Sequence, residues 1–229
     1  MRPWLTALSL LVALPASLPA AAAPFAMRLG VERIVLDAPP GFTDTTDLSS
    51  PRLQELAETL TSASNRILVF ALTDADVRRF MAGDQIEARR YMIAVTPRVM
   101  ERERVNAETF NAFVTDSLRE LGKPADAGEA ANYAKYLDRQ PHGKVSLLAE
   151  LRKDPAVASV LQGTRLPTQG GGWQDKPPQY VFSTTTIFLV RGKLLRLDVF
   201  SGIDVQADVN WLRGITERWM SELLRLNSR

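Results

Sequence analysis

The chain has 229 residues, with 28 Lys and Arg against 26 Asp and Glu, one histidine and no cysteine. That near-balance of charge supplies no long-range field to gather nucleic acid or anionic lipid, so nucleic acid is not an expected partner. Without cysteine there is no disulfide, no lipidated N-terminal cysteine and no Cys-His nucleophile, and a zinc site built from two or more His or Cys ligands is excluded.

Arg2, the apolar run from Leu5 to Leu14 and the small-residue tail from Pro15 to Ala22 have the layout of a secretory signal. The apolar run is too short to cross a bilayer as a helix, which takes about 20 residues. Ala20, Ala21 and Ala22 place the expected cleavage before Ala23, leaving 27 basic and 26 acidic residues. The expectation is a signal at residues 1–22, then one α+β domain over 23–229, free in the periplasm and without a transmembrane segment. A domain of that size buries roughly 70% of its unfolded surface and needs no disulfide or structural metal.

Val31 to Leu36 reads as a short strand, stopped by Pro39, Pro40 and Gly41. Ser50 and Pro51 form an N-cap and first-turn pair for a helix carrying Leu53, Leu56, Ala57 and Leu60. Arg66 to Leu72 and Arg90 to Val95 are β-rich buried runs. Between them, Asp74 to Met81 forms one or two helical turns, capped by Thr73 or Asp74 and stopped by Gly83. Asn106 caps an amphipathic helix bearing Phe110, Phe113, Val114 and Leu121, and Gly122 with Pro124 ends it. A second helix is expected over Gly128 to Leu137 and a short one over Lys144 to Arg152. Ala156 to Leu161 is too short for periodicity to separate strand from helix.

Three glycines (Gly170 to Gly172), Trp173, Asp175 and two prolines (Pro177 and Pro178) then form a loop. A phosphate-binding glycine loop feeds a helix N-terminus, whereas this one feeds a strand, so it reads as a connection. Tyr180 to Val190 and Lys193 to Phe200 form a β-hairpin about Arg191 and Gly192. The last helix sets Leu212, Ile215, Trp219, Leu223 and Leu226 on one arc. Strands and helices do not alternate strictly and the final strand pair is antiparallel. The fold class expected is therefore α+β: a mainly antiparallel sheet of about six strands covered by helices, an α/β/α sandwich.

The only histidine, His142, lies between proline and glycine with no G-x-S-x-G elbow, so a Ser-His-Asp site is not expected. The Gly-Lys pairs beginning at Gly122, Gly143 and Gly192 lack a following Ser or Thr, and no S-x-x-K occurs, which removes the P-loop and serine-lysine classes. Asp44 with Asp47 and Asp74 with Asp76 either hold a hard cation such as calcium or cap turns and helices. No catalytic residue, metal site or cofactor is expected. Trp219 belongs to the core, and Trp211 lies at the edge of the buried arc. Trp173 either covers a sheet end or presents an aromatic face, so Trp173, Asp175 and Trp211 form the expected ligand or partner surface.

The stretches "TTTIFLVRGKLLRLDVFSG" and "DVNWLRGITERWMSELL" resemble the closing strand, turn, strand and helix of the PsbP/DcrB-like α/β/α sandwich proteins. "VLDAPPGFTDTT" is similar to their opening strand and turn, and the layout resembles a group of exported proteobacterial proteins. The resemblance covers the start and the C-terminal part of the chain. It implies an antiparallel sheet of six or seven strands between helical layers, and a non-enzymatic accessory or binding role at the cell envelope. The expected function is thus an exported binding or accessory protein with a protein partner or small ligand. The alternative is a carboxylate-dependent, metal-assisted hydrolase.

Overall fold

The computed structural model describes residues 23–126, 132–167, 179–202 and 206–228. Strands β1 (Phe25–Leu29) and β2 (Glu32–Leu36) form a two-stranded antiparallel hairpin. They are followed by β3 (Phe42–Asp44), α1 (Pro51–Thr59), β4 (Asn65–Thr73), α2 (Asp74–Met81) and β5 (Arg90–Pro97). Next come α3 (Ala107–Leu121), α4 (Tyr133–Leu137), β6 (Val145–Asp154), β7 (Val157–Arg165), β8 (Tyr180–Val190), β9 (Lys193–Gly202) and α5 (Gln206–Asn227). Strands β3 to β9 make one antiparallel sheet in the order β3-β4-β5-β9-β8-β7-β6. The architecture is the α+β class expected from the sequence, with one more strand in the main sheet and a separate hairpin.

The helices begin where short polar side chains meet unpaired backbone N–H groups. Ser50, Thr73, Asn106 and Asn132 accept from the amides of Leu53, Asp76, Thr109 and Lys135. Of the helix expected over Gly128 to Leu137, α4 starts after Asn132, and residues 127–131 lie outside the described part. The turn between β8 and β9 holds Arg191 and Gly192 at φ 51° and 74°, the left-handed pair that a two-residue hairpin needs.

The helix expected at Lys144 to Arg152 is strand β6, and Ala156 to Leu161 falls mostly in β7. The two strands turn about Pro155 and Ala156 and pair from Val145↔Thr164 to Asp154↔Val157. Register shifts between Leu147 and Ala149 and between Glu150 and Arg152 interrupt the alternation. Leu147 and Leu148 are both buried as a result, which leaves a pattern that does not read as a strand.

One sheet face is covered by α5, α4 and the β1–β2 hairpin. There Leu212, Ile215, Trp219 and Leu223 pack on Phe182, Phe188, Leu195 and Leu197, with Leu29, Ile34 and Leu36 of the hairpin. Trp219 Nε1 donates to the Asp37 carbonyl at 2.7 Å. The Asn227 amide accepts from Val35 N at 2.9 Å and donates to Val35 O at 2.8 Å. On the other face, α1 and α2 pack over β4 and β5 through Leu53, Ala57, Phe70, Ile93 and Val95. There α3 covers Ala158, Ile187 and Leu194 with Phe110 and Val114. Lys193 is buried, and its ammonium donates to the carbonyls of Glu101 and Glu103 at 3.2 and 2.6 Å, holding the segment before α3 against β9.

Candidate binding groove

Strand β3 pairs with β4 only from Phe42↔Thr73 to Asp44↔Ala71. One step further, the Asp44 carboxylate accepts from Phe70 N at 3.1 Å, and Thr45 donates to Phe70 O through both its amide and its hydroxyl at 2.8 Å. The chain then leaves the edge through a single 3-10 turn, Thr46–Leu48, to reach Ser50 and α1. Among the described residues no strand pairs with Asn65–Val69 on that side. An antiparallel edge without a strand partner remains there, its Asn65 amide turned to Ser62 and a bulge falling between Ile67 and Val69.

Facing this edge across a groove of about 520 Å³ is α1. Leu53 and Ala57 of the helix, with Ile67 and Phe70 of β4, give the groove an apolar floor. Its rim is polar: Thr46, Ser49 and Gln54 at the helix start, Thr61 and Ser62 after the helix, and Arg66 and Arg98 at the far end. Gln54 donates to Glu58 along the rim at 2.9 Å.

The far end is fixed by hydrogen bonds. Asn65 Nδ2 donates to Thr61 Oγ1 at 3.1 Å and Asn65 N to Ser62 O at 2.9 Å. Arg98 donates through its amide to Ser64 O at 2.9 Å and through Nε to Ala63 O at 3.2 Å. Arg66 is ion-paired with Glu101. Arg98 is exposed, and among the described residues no carboxylate pairs with its guanidinium. An apolar floor, a polar rim and an open strand edge suit a ligand that offers both side chains and peptide groups.

Of the residues expected to form the partner surface, only Trp211 is described. Trp173 and Asp175 fall outside the described residues, as does the glycine loop. Trp211, on α5, is half-buried as its place on the helical wheel implies. Its ring meets Phe42, with centroids 6.1 Å apart, and the Arg90 guanidinium covers it at 4.3 Å. Arg90 is paired with Asp208 at 2.6 Å, so this indole is a packing platform for an ion pair and not a bare aromatic face.

Three of the four aspartates considered for a cation, Asp44, Asp74 and Asp76, have hydrogen-bond partners. Asp44 accepts from Thr46 as well as Phe70, and burial raises its carboxyl above the ordinary range despite those bonds. Asp74 accepts from Thr43 at 2.7 Å, and Asp76 from Thr73 Oγ1 at 2.9 Å and Glu87 N at 3.3 Å. Among the described residues no three of His, Cys, Asp and Glu come together as a metal ligand set. His142 is exposed in the turn before β6.

Sequence reasoning missed two buried acids, Asp198 and the Asp208 that pairs with Arg90. Asp198 of β9 is 2% exposed, accepting from Thr185 Oγ1 at 2.6 Å and Arg196 Nε at 2.7 Å. It lies on the face covered by α1, α2 and α3, between the ground held by α1 and that held by α3, and desolvation raises its carboxyl above the usual range. Tyr91 beside it is pushed up to about 12, by burial first and then by the Asp198 charge.

No family model matches the chain and no curated protein matches it. Among solved structures it is similar to the Ran-binding protein Mog1p of Saccharomyces cerevisiae. The two share 11% sequence identity and a TM-score of 0.38, over 90% of this chain and 95% of that one. A likeness at that level supports no functional argument. Among the described residues no helix is long and apolar enough to cross a membrane.

Proposed function

We propose that this is a periplasmic binding or accessory protein without catalytic activity, which engages a protein partner in the cell envelope through the groove between α1 and β4. The observation that carries this reading is the open edge at Asn65–Val69 beside an apolar floor and a polar rim. The local engagement of Asp44, Asp74 and Asp76 in turns and caps supports a binding role over carboxylate catalysis. Export rests on the signal-like layout of residues 1–22.

Site-specific photocrosslinking in a bacterial host tests both parts. A benzophenone side chain replacing Gln54 is expected to give a discrete protein adduct in the periplasmic fraction, and one replacing exposed Arg218 on α5 is not. Retention of the unprocessed chain in the cytoplasm contradicts export, and equal adducts from both positions contradict the groove.

A further inference from the structure

The groove has the form of a place for one more strand, and resting on the reading above, we propose that its occupant is an extended segment of another polypeptide. That segment adds to β4 antiparallel, in the position β3 vacates at Thr45, and sets an acidic side chain against Arg98.

Three observations lead there. The edge left open, Asn65–Val69, is five residues long, a run of about 17 Å at the rise of an extended chain, and it carries one bulge at Leu68, where its pairing with β5 shifts between Ile67 and Val69. A ligand without a backbone leaves that row of peptide groups unanswered, whereas an added strand satisfies it. Next, α1 stands alongside this edge with Leu53 and Ala57 turned to it. Every second side chain of an added strand therefore meets an apolar floor, while the intervening ones meet solvent or the polar rim. Finally, the charges at the far end are unequal: Glu101 answers Arg66, while the exposed Arg98 is fixed through Nε and has no carboxylate partner among the described residues. A carboxylate there gains a charge-assisted hydrogen bond from a guanidinium that is already oriented.

Panning phage-displayed random heptapeptides against the purified chain tests this, with the selected sequence then made as a blocked, dye-labelled peptide for fluorescence anisotropy. The selected peptides are expected to alternate apolar and polar residues and to carry an acid at one end. N-methylating alternate peptide nitrogens should weaken binding about tenfold for the set that faces β4 and little for the other set. Arg98→Gln should cost about fivefold for the acidic peptide, and nothing once its acid is replaced by the amide. Amide exchange of Asn65–Val69 should slow on binding. Gln54→Trp, at an exposed rim position, should block the groove without unfolding the chain, as circular dichroism will show.

The failures separate. If Gln54→Trp abolishes binding but both N-methylated sets bind normally and β4 gains no protection, the groove stands and strand addition is wrong. If the peptides bind Gln54→Trp as well as the parent, or panning yields no binder, the groove reading falls with it. A dimer seen by sedimentation and lost on Gln54→Trp puts a second copy of this chain in the groove and overturns the assignment to another polypeptide.

Discussion

Replacing Asn227 by alanine isolates the attachment of the β1–β2 hairpin to the rest of the fold. The N–H and C=O of one strand residue point to the same side, so Val35, bonded through both to Asn227, turns its peptide groups away from β1. The side-chain amide of the last helical turn thus answers the outer edge of β2 as a neighbouring strand does. A third bond, from Nδ2 to Leu223 O at 2.8 Å, fixes the amide on its own helix. Truncation removes three bonds and strands the two Val35 groups. At about 1 kcal/mol for each of the two bonds to Val35 and somewhat less for the third, Asn227→Ala should lose about 2–3 kcal/mol. Asn227→Asp keeps one acceptor but sets a carboxylate oxygen against two carbonyls, so it should cost at least as much. Urea unfolding followed by circular dichroism measures both, as a lower midpoint at unchanged slope. A loss below about 0.5 kcal/mol for either variant refutes the reasoning, since that is the range of an ordinary surface change.

Two further perturbations probe groups without a place in the groove. Lys193→Met leaves the Glu101 and Glu103 carbonyls without their donor, and should cost about 2 kcal/mol while speeding tryptic cleavage at the exposed Arg102 and Arg104. Unchanged cleavage would show that the ammonium does not hold that segment. Asp198→Asn addresses pH. Burial raises the native carboxyl, so between the unfolded value and the native one the native state binds a proton that the unfolded state has lost, and stability falls as pH rises through that window. The asparagine variant escapes this. Its stability relative to the parent should grow as pH rises from about 4 and then level off. Paired urea titrations across pH check it, and a difference that does not vary with pH would show that burial leaves the Asp198 carboxyl at its unfolded value.

The parts of the fold legible in the sequence are those decided by near neighbours. Ser50 and Asn106 mark helix starts because the cap and the amide it accepts from lie three residues apart, and the Arg191–Gly192 turn is set by two adjacent left-handed residues. Strand β3 is three residues long and its partner Thr73 lies far along the chain, so nothing local declares it. The bulges in β6 erased the alternation that would have identified it. Asp198 alternates with Leu197 and Val199, and in a one-sided sheet that position faces water; here helices bury that side as well. The groove was illegible for a different reason: it exists because β3 stops pairing before β4 does, which is a property of two strands and not of any motif.

The order of the sheet also bears on how the chain folds. Neighbours β3-β4-β5 and β9-β8-β7-β6 are each consecutive in sequence, so either set can assemble from contacts close along the chain. Only the ladder from Arg90↔Ser201 to Val95↔Arg196 joins them, and it closes a loop of roughly a hundred residues, a step with a large entropic cost but little further dependence on loop length. That single seam is the natural last event in forming the sheet. Until it closes, β5 and β9 both present bare edges, so the newly made chain is most prone to join another copy of itself along the line that later becomes its centre.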